Sequence, residues 1–154
     1  MNPKFHHYFM DVAKRTAELS YARRLKVGSV AAFDKRIVAC GYNGTPPGED
    51  NNCETGLPMG GLKTKDNVLH SEVNLINFAK QEDISLWKCT LYITHRPCIN
   101  CAKEVLDARF QTVLWDVDYG WTDGAEYLND NGVLAVKLED YLLAEYGVKN
   151  EMHR

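Results

Sequence analysis

Two short stretches carry side chains suited to metal and proton chemistry: His70-Ser71-Glu72 and, about 25 residues later, Pro97-Cys98-Ile99-Asn100-Cys101. Cys98 and Cys101 are three apart, a spacing that on a helical turn aims both sulfurs the same way. The positive end of a helix also favours their thiolates. His70 would add an imidazole nitrogen from a second helix. Such a set suits Zn2+, and three protein ligands leave a fourth tetrahedral position for water, the mark of a catalytic site. Zinc brings the pKa of that water towards about 7. Glu72 lies two residues past His70, roughly 200° around a regular helix, although a helix start can bend that geometry. It is read as the proton carrier and not as a ligand.

Other readings of these residues stay open. A C-x-x-C pair also fits a redox couple, or half of a closed structural site with Cys53 or His95 as fourth ligand. A non-catalytic zinc-bearing module that binds a nucleotide or a protein would have no use for Glu72.

The elements that must carry these residues follow from periodicity. Asn2 to Ala22 places Phe5, Phe9, Val12, Ala13 and Leu19 on one helical face. Val27 to Phe33 and Ile37 to Gly41 read as a strand pair joined by a turn at Asp34-Lys35. A long breaker-rich segment with three prolines runs from Asn43 to Asn67, and segments of this kind are usually functional or mobile. His70 to Lys80 is expected as a helix with Leu69, Val73 and Ile76 inward, and Cys89 to Thr94 as a strand. Pro97 is placed in the first turn of the next helix, which runs to about Ala108. Strands at Thr112 to Trp115 and Val133 to Val136 alternate with helices around Glu126 to Leu128 and from Glu139 to Tyr146. That alternation predicts a layered α/β domain spanning residues 1–154.

Composition narrows the setting. At 154 residues and 45% hydrophobic content the chain can bury a core without disulfides. Its five cysteines are an odd number, so metal binding is the better reading of the close pair. Cys40 and Cys89 are expected in the core. The first ten residues lack a secretory pattern, and no apolar run approaches the ~20 residues of a membrane span. The expected location is the cytoplasm, or the host cytoplasm for a viral chain. Net charge is −3 and only Arg23, Arg24 and Lys26 cluster among the basic residues. That excludes a nucleic-acid groove but leaves enough charge for one phosphate.

On these residues the chain resembles the cytidine and deoxycytidylate deaminase superfamily, whose signature joins H-x-E to P-C-x-x-C. Val27-Gly28-Ser29-Val30, the loop Gly41-Tyr42-Asn43-Gly44-Thr45-Pro46-Pro47-Gly48, and Leu91-Tyr92-Ile93-Thr94-His95 extend the likeness and narrow it to the dCMP-acting members. The resemblance implies a three-layer α/β/α fold with a five-stranded mixed sheet, one catalytic Zn2+, and a homo-oligomer, a hexamer being favoured. His70, Cys98 and Cys101 match the zinc ligands and Glu72 the proton shuttle. Arg24, Asn43, Ser71 and Tyr119 match substrate contacts: Arg24 and Tyr119 to the phosphate, Asn43 to sugar and phosphate, the Ser71 backbone to the base. A guanidinium fork suits a phosphate monoester.

The implied reaction is hydrolysis of dCMP to dUMP and ammonia, supplying dUMP for thymidylate. Other deaminase substrates compete: free cytosine, cytidine, guanine, adenosine in tRNA, or 5-methyl-dCMP. In relatives dCTP activates and dTTP inhibits, which would engage Gly41, Tyr42, Asn43 and Gly44, with Mg2+ accompanying the triphosphate. The sequence departs from the family at Ser71, usually alanine, at Arg96 before Pro97, and at Arg109. Cys53 lacks a second cysteine or histidine for the extra structural metal some relatives hold.

Overall fold

The computed structural model describes residues 1–148. Helix α1 (Pro3–Ala17) opens with Pro3 at its first position, and the Asn2 side chain accepts the Lys4 N–H at 2.9 Å. Strands β1 (Gly28–Phe33) and β2 (Arg36–Tyr42) form a hairpin. A two-stranded ribbon, β3 (Glu54–Gly56) with β4 (Leu62–Thr64), follows. Then come α2 (Ser71–Gln81), β5 (Thr90–His95), α3 (Ile99–Asp107), β6 (Thr112–Val117), α4 (Asp123–Asp130), β7 (Leu134–Lys137) and α5 (Leu138–Tyr146).

The main sheet runs β2-β1-β5-β6-β7. β1 is antiparallel to β2 and β5, while β5, β6 and β7 are parallel, so the sheet is mixed. Period-2 alternation sends side chains to opposite faces. Ala31, Leu91, Ile93, Val113 and Trp115 pack with Leu75, Ile76, Val105 and Leu128 of α2, α3 and α4. Val30, Tyr92 and Leu114 pack on the other face with Phe9, Met10 and Ala13 of α1 and with Leu138 and Leu142 of α5. The result is the three-layer α/β/α arrangement expected. Because β1 and β5 are antiparallel, the entry to β1 lies beside the carboxyl ends of β5 and β6. In open α/β sheets ligands bind at such carboxyl ends.

Several sequence expectations need correction. α1 stops at Ala17, where the Ser20 hydroxyl bonds the Asn43 carbonyl at 2.7 Å and diverts the chain; Leu19 is therefore exposed. Pro97 precedes α3 because Cys98, extended at φ −74 and ψ 168, is the N-cap and its sulfur accepts the Cys101 N–H. Cys40 is exposed, because β2 is the edge strand of the sheet. Cys89 is buried. In α2 the fully covered positions are Ser71, Glu72, Leu75, Ile76 and Ala79, while Leu69 and Val73 are half-buried. The β3–β4 ribbon escaped detection because three-residue strands carry too little alternation to read.

Candidate active site

His70 is not the first residue of α2 but its N-cap, extended at φ −70 and ψ 158. A helical angle between His70 and Glu72 therefore does not apply, and both side chains reach one place. His70 Nδ1 lies 3.2 Å from Cys101 Sγ and 3.6 Å from Cys98 Sγ. The three donor atoms all fall within 4.8 Å of one another. One nitrogen and two sulfurs, with no fourth protein donor in the group, is a donor set that fits zinc with an open position. Cys98 lends its sulfur to the end of α3 and Cys101 sits one turn inside it, beneath the cavity. The two residues weighed as a fourth ligand are not in the donor group. His95 Nδ1 bonds Thr94 Oγ1 at 2.8 Å, and Cys53 packs with Ala22 and Val68.

The electrostatics suit a cation. The Cys101 thiol, donating to Cys98, holds the Cys98 thiol down to about 4 against its burial, with help from His70 and the Cys101 N–H. Cys101, giving that hydrogen bond and buried, is pushed up. The hydrogen bond to Cys98 raises His70 against burial. Glu72 is buried, and desolvation pushes its carboxyl up to about 7. A bound divalent cation would draw these groups back to their ligating or ionised forms.

A cavity of about 250 Å3 opens over the group, lined by Arg24, Asn43, His70, Ser71, Glu72, Cys98 and Tyr119. All the residues singled out as substrate contacts thus share one space with Glu72. Val27, Ile93 and His95 supply its apolar and aromatic wall. Arg24 is exposed and sits in an irregular segment ahead of β1. Asn43 is buried, and its side chain is engaged: Oδ1 accepts the Val27 N–H at 2.9 Å, and Nδ2 donates to the Leu25 carbonyl at 2.8 Å. One amide proton and one lone pair remain for a ligand. The Ser71 hydroxyl turns away into the sheet, donating to Ser29 Oγ at 2.5 Å. Tyr119 meets His95 edge-on, with ring centroids 5.7 Å apart.

Three further residues shape the site, and of these only Arg96 was singled out in the sequence. Arg96 lines the cavity, and its guanidinium bonds the Gly120 carbonyl at 2.8 Å and the Tyr119 carbonyl at 3.3 Å, pinning the loop that carries Tyr119. Asp118 accepts from Trp115 Nε1 at 2.8 Å and steadies the same loop. Glu54, on the unforeseen ribbon, accepts the N–H groups of Arg23 and Arg24 at 2.8 and 3.0 Å. A second cavity of about 500 Å3 runs along Gly41, Tyr42, Asn43 and Gly44, and Asn43 lines both. Gly41 also lets β2 press on α2, since a Cβ there would come 2.5 Å from the Ser71 carbonyl oxygen.

Residues 3–116 match the family model described as the cytidine and deoxycytidylate deaminase zinc-binding region. The chain is 32% identical over 118 residues to ComE operon protein 2 of Bacillus subtilis, an alignment covering 75% of this chain and 60% of that protein. It therefore spans less than two thirds of that relative. It is 28% identical over 123 residues to the deoxycytidylate deaminase of Mycobacterium phage D29, covering 73% of this chain and 94% of the phage protein. Among solved structures it resembles the dCMP deaminase of cyanophage S-TIM5 in complex with dCMP and dUMP. That match has a TM-score of 0.82 and 33% identity, and it covers 89% of this chain and 98% of the other.

Proposed function

The chain belongs to the cytidine and deoxycytidylate deaminase family, and from that premise we propose that it hydrolyses dCMP to dUMP and ammonia. One observation carries the choice of substrate: Arg24 shares a 250 Å3 cavity with Glu72, His70 and Cys98. A guanidinium lining this space suits a phosphate monoester, and the donor group lining the same space suits the amine-bearing carbon of the base. His70, Cys98 and Cys101 would hold a zinc ion, which when bound supplies a water acidic enough to attack at neutral pH.

The chain's own residues do the rest. Glu72 takes the proton released by the attacking water and delivers it to ring N3. It then takes the remaining proton from the oxygen newly bonded to C4 and carries it to the exocyclic nitrogen, so that the C4–N bond breaks, ammonia leaves and C4 keeps the oxygen as a carbonyl. Its burial keeps bulk water from competing for those protons. Asn43 offers its remaining amide proton to the sugar and phosphate side. The Ser71 backbone faces the base, and Tyr119 stands towards the phosphate. The dUMP formed would serve thymidylate synthesis.

Regulation by dCTP and dTTP, with Mg2+ on the triphosphate, belongs to this reading. The 500 Å3 cavity along Gly41, Tyr42, Asn43 and Gly44 supports it. A hexameric assembly and a cytoplasmic setting belong to the same reading. No helix among the described residues is long and apolar enough to cross a membrane.

The test is ammonia release by zinc-loaded protein from dCMP, CMP, deoxycytidine and 5-methyl-dCMP, each with and without dCTP and dTTP. Fast dCMP turnover with deoxycytidine nearly inert is expected. Equal turnover of deoxycytidine, or none of any of the four, would overturn the assignment in favour of free bases or tRNA adenosine.

A further inference from the structure

Arg23 and Arg24 are chemically identical neighbours, yet only Arg24 lines the cavity. The segment that carries them has neither helix nor strand to fix it. Its backbone is held by two side chains from distant parts of the chain. Asn43 grips the Leu25 carbonyl and the Val27 N–H. Glu54, whose side chain is 1% exposed, grips the other end. A single oxygen, Oε1, accepts both the Arg23 N–H at 2.8 Å and the Arg24 N–H at 3.0 Å. Oε2 faces Arg23 Nε at 3.5 Å, and Asn52 Oδ1 takes Arg23 Nη2 at 3.4 Å.

From this arrangement we propose that Glu54 is a positioning residue for substrate specificity: it fixes the backbone at residues 23–24 and engages Arg23, so that Arg24 alone is presented to the nucleotide phosphate. This rests on the reading of Arg24 as the phosphate ligand.

The charges are consistent with that role. Burial pushes the Glu54 carboxyl up, but the Arg24 and Arg23 N–H groups and the Arg23 guanidinium outweigh it and hold the group below the usual carboxylate range. An ionised Glu54 balanced by Arg23 leaves the charge of Arg24 uncompensated and available to an anion. Without Glu54, two backbone donors and one guanidinium lose their partner together, and the segment has no local structure to fall back on. The effect should fall on phosphate binding, because Glu54 does not line the cavity and lies away from His70, Glu72 and Cys98.

The experiment measures KM and kcat for dCMP, and kcat/KM for deoxycytidine at high enzyme concentration, in wild type, Glu54→Ala, Glu54→Gln and Arg24→Ala, all zinc-loaded. Glu54→Ala should raise KM for dCMP about tenfold, with kcat and the deoxycytidine reaction within about twofold of wild type. Glu54→Gln should recover most of the loss, since its amide oxygen can accept the same two N–H groups. An unchanged KM, or equal losses on dCMP and deoxycytidine, overturns the proposal. Should Glu54→Ala fail to fold, Glu54→Gln is compared alone and combined with Arg24→Ala. A rise in KM of about threefold that vanishes in the Arg24→Ala background supports it, and an additive rise overturns it. If Arg24→Ala itself spares dCMP, the phosphate reading fails and this inference with it. If Arg24→Ala is costly and Glu54→Ala is not, only the role of Glu54 fails.

Discussion

Gly124 of α4 lies directly against Cys98: a Cβ at Gly124 would stand 2.8 Å from the Cys98 carbonyl oxygen and 2.5 Å from that of Pro97. The neighbours are backbone and cannot swing aside, so α4 acts as a backstop for the peptide that sets the first thiolate. Gly124→Ala should therefore destabilise the fold by about 1–3 kcal/mol, as overpacking does. That loss exceeds the roughly 1 kcal/mol an alanine normally gains inside a helix. It should also weaken zinc retention in a chelator competition. A variant more stable than wild type and with unchanged zinc retention would show that the contact does not constrain Cys98.

Glu72 shares the cavity with His70 and Cys98 but is not among the three donors. Replacing it with glutamine preserves shape and removes proton transfer. Glu72→Gln should lose on the order of 10² to 10⁴ in kcat while binding one zinc per chain, read by metal analysis of the purified protein. A module that only binds nucleotide would show the same affinity for dCMP in both forms and turnover in neither. Loss of zinc from Glu72→Gln would make Glu72 a ligand instead.

The chemistry was legible in the sequence where it depends on short spacing. His70 with Glu72, and Cys98 with Cys101, are each within three residues, and local geometry brings each pair together. The sheet and its helices were legible from periodicity, because most elements bury one face. What was not legible depends on pairing across the chain. Glu54 meets Arg23 and Arg24 from about 30 residues away, and it does so from a strand too short to alternate. The partners of Arg96 were hidden in the same way, since its guanidinium bonds the carbonyls of Tyr119 and Gly120 from 23 and 24 residues away. Cys40 shows the converse error: an apolar run suggested burial, but β2 is an edge strand and half its partners are missing.

Asn43 holds the segment ahead of β1 through both ends of its amide, so its replacement should act on stability and substrate affinity together. Asn43→Ala would orphan the Leu25 carbonyl and the Val27 N–H, at about 1–3 kcal/mol, and release the backbone next to Arg24. Asn43→Asp keeps an acceptor for Val27 but turns a second oxygen on the Leu25 carbonyl, so it should rescue neither property. Denaturant unfolding and KM for dCMP read the two effects. An aspartate variant indistinguishable from wild type would show that the Leu25 contact contributes nothing.

On the opposite face of the sheet, His6 is buried between hydroxyls, with Nδ1 2.8 Å from Tyr92 Oη and Nε2 3.2 Å from Tyr146 Oη. Burial, then the N-terminal charge and His7, bring its pKa down to about 4. The fold thus prefers neutral His6, while the unfolded chain protonates near 6.5. Between those values the unfolded state binds more protons, so this contribution is complete above about pH 6.5 and is lost as pH falls towards 4. From pH 7 to pH 5 the wild type should lose about 2 kcal/mol more stability than His6→Gln, whose amide does not titrate. Urea unfolding at the two pH values gives the comparison, and zinc release cancels because both forms carry the same three donors. Parallel losses in the two proteins would place the acid sensitivity in the carboxylates instead, since α1 and α5 would then meet across a histidine whose protonation the fold does not oppose.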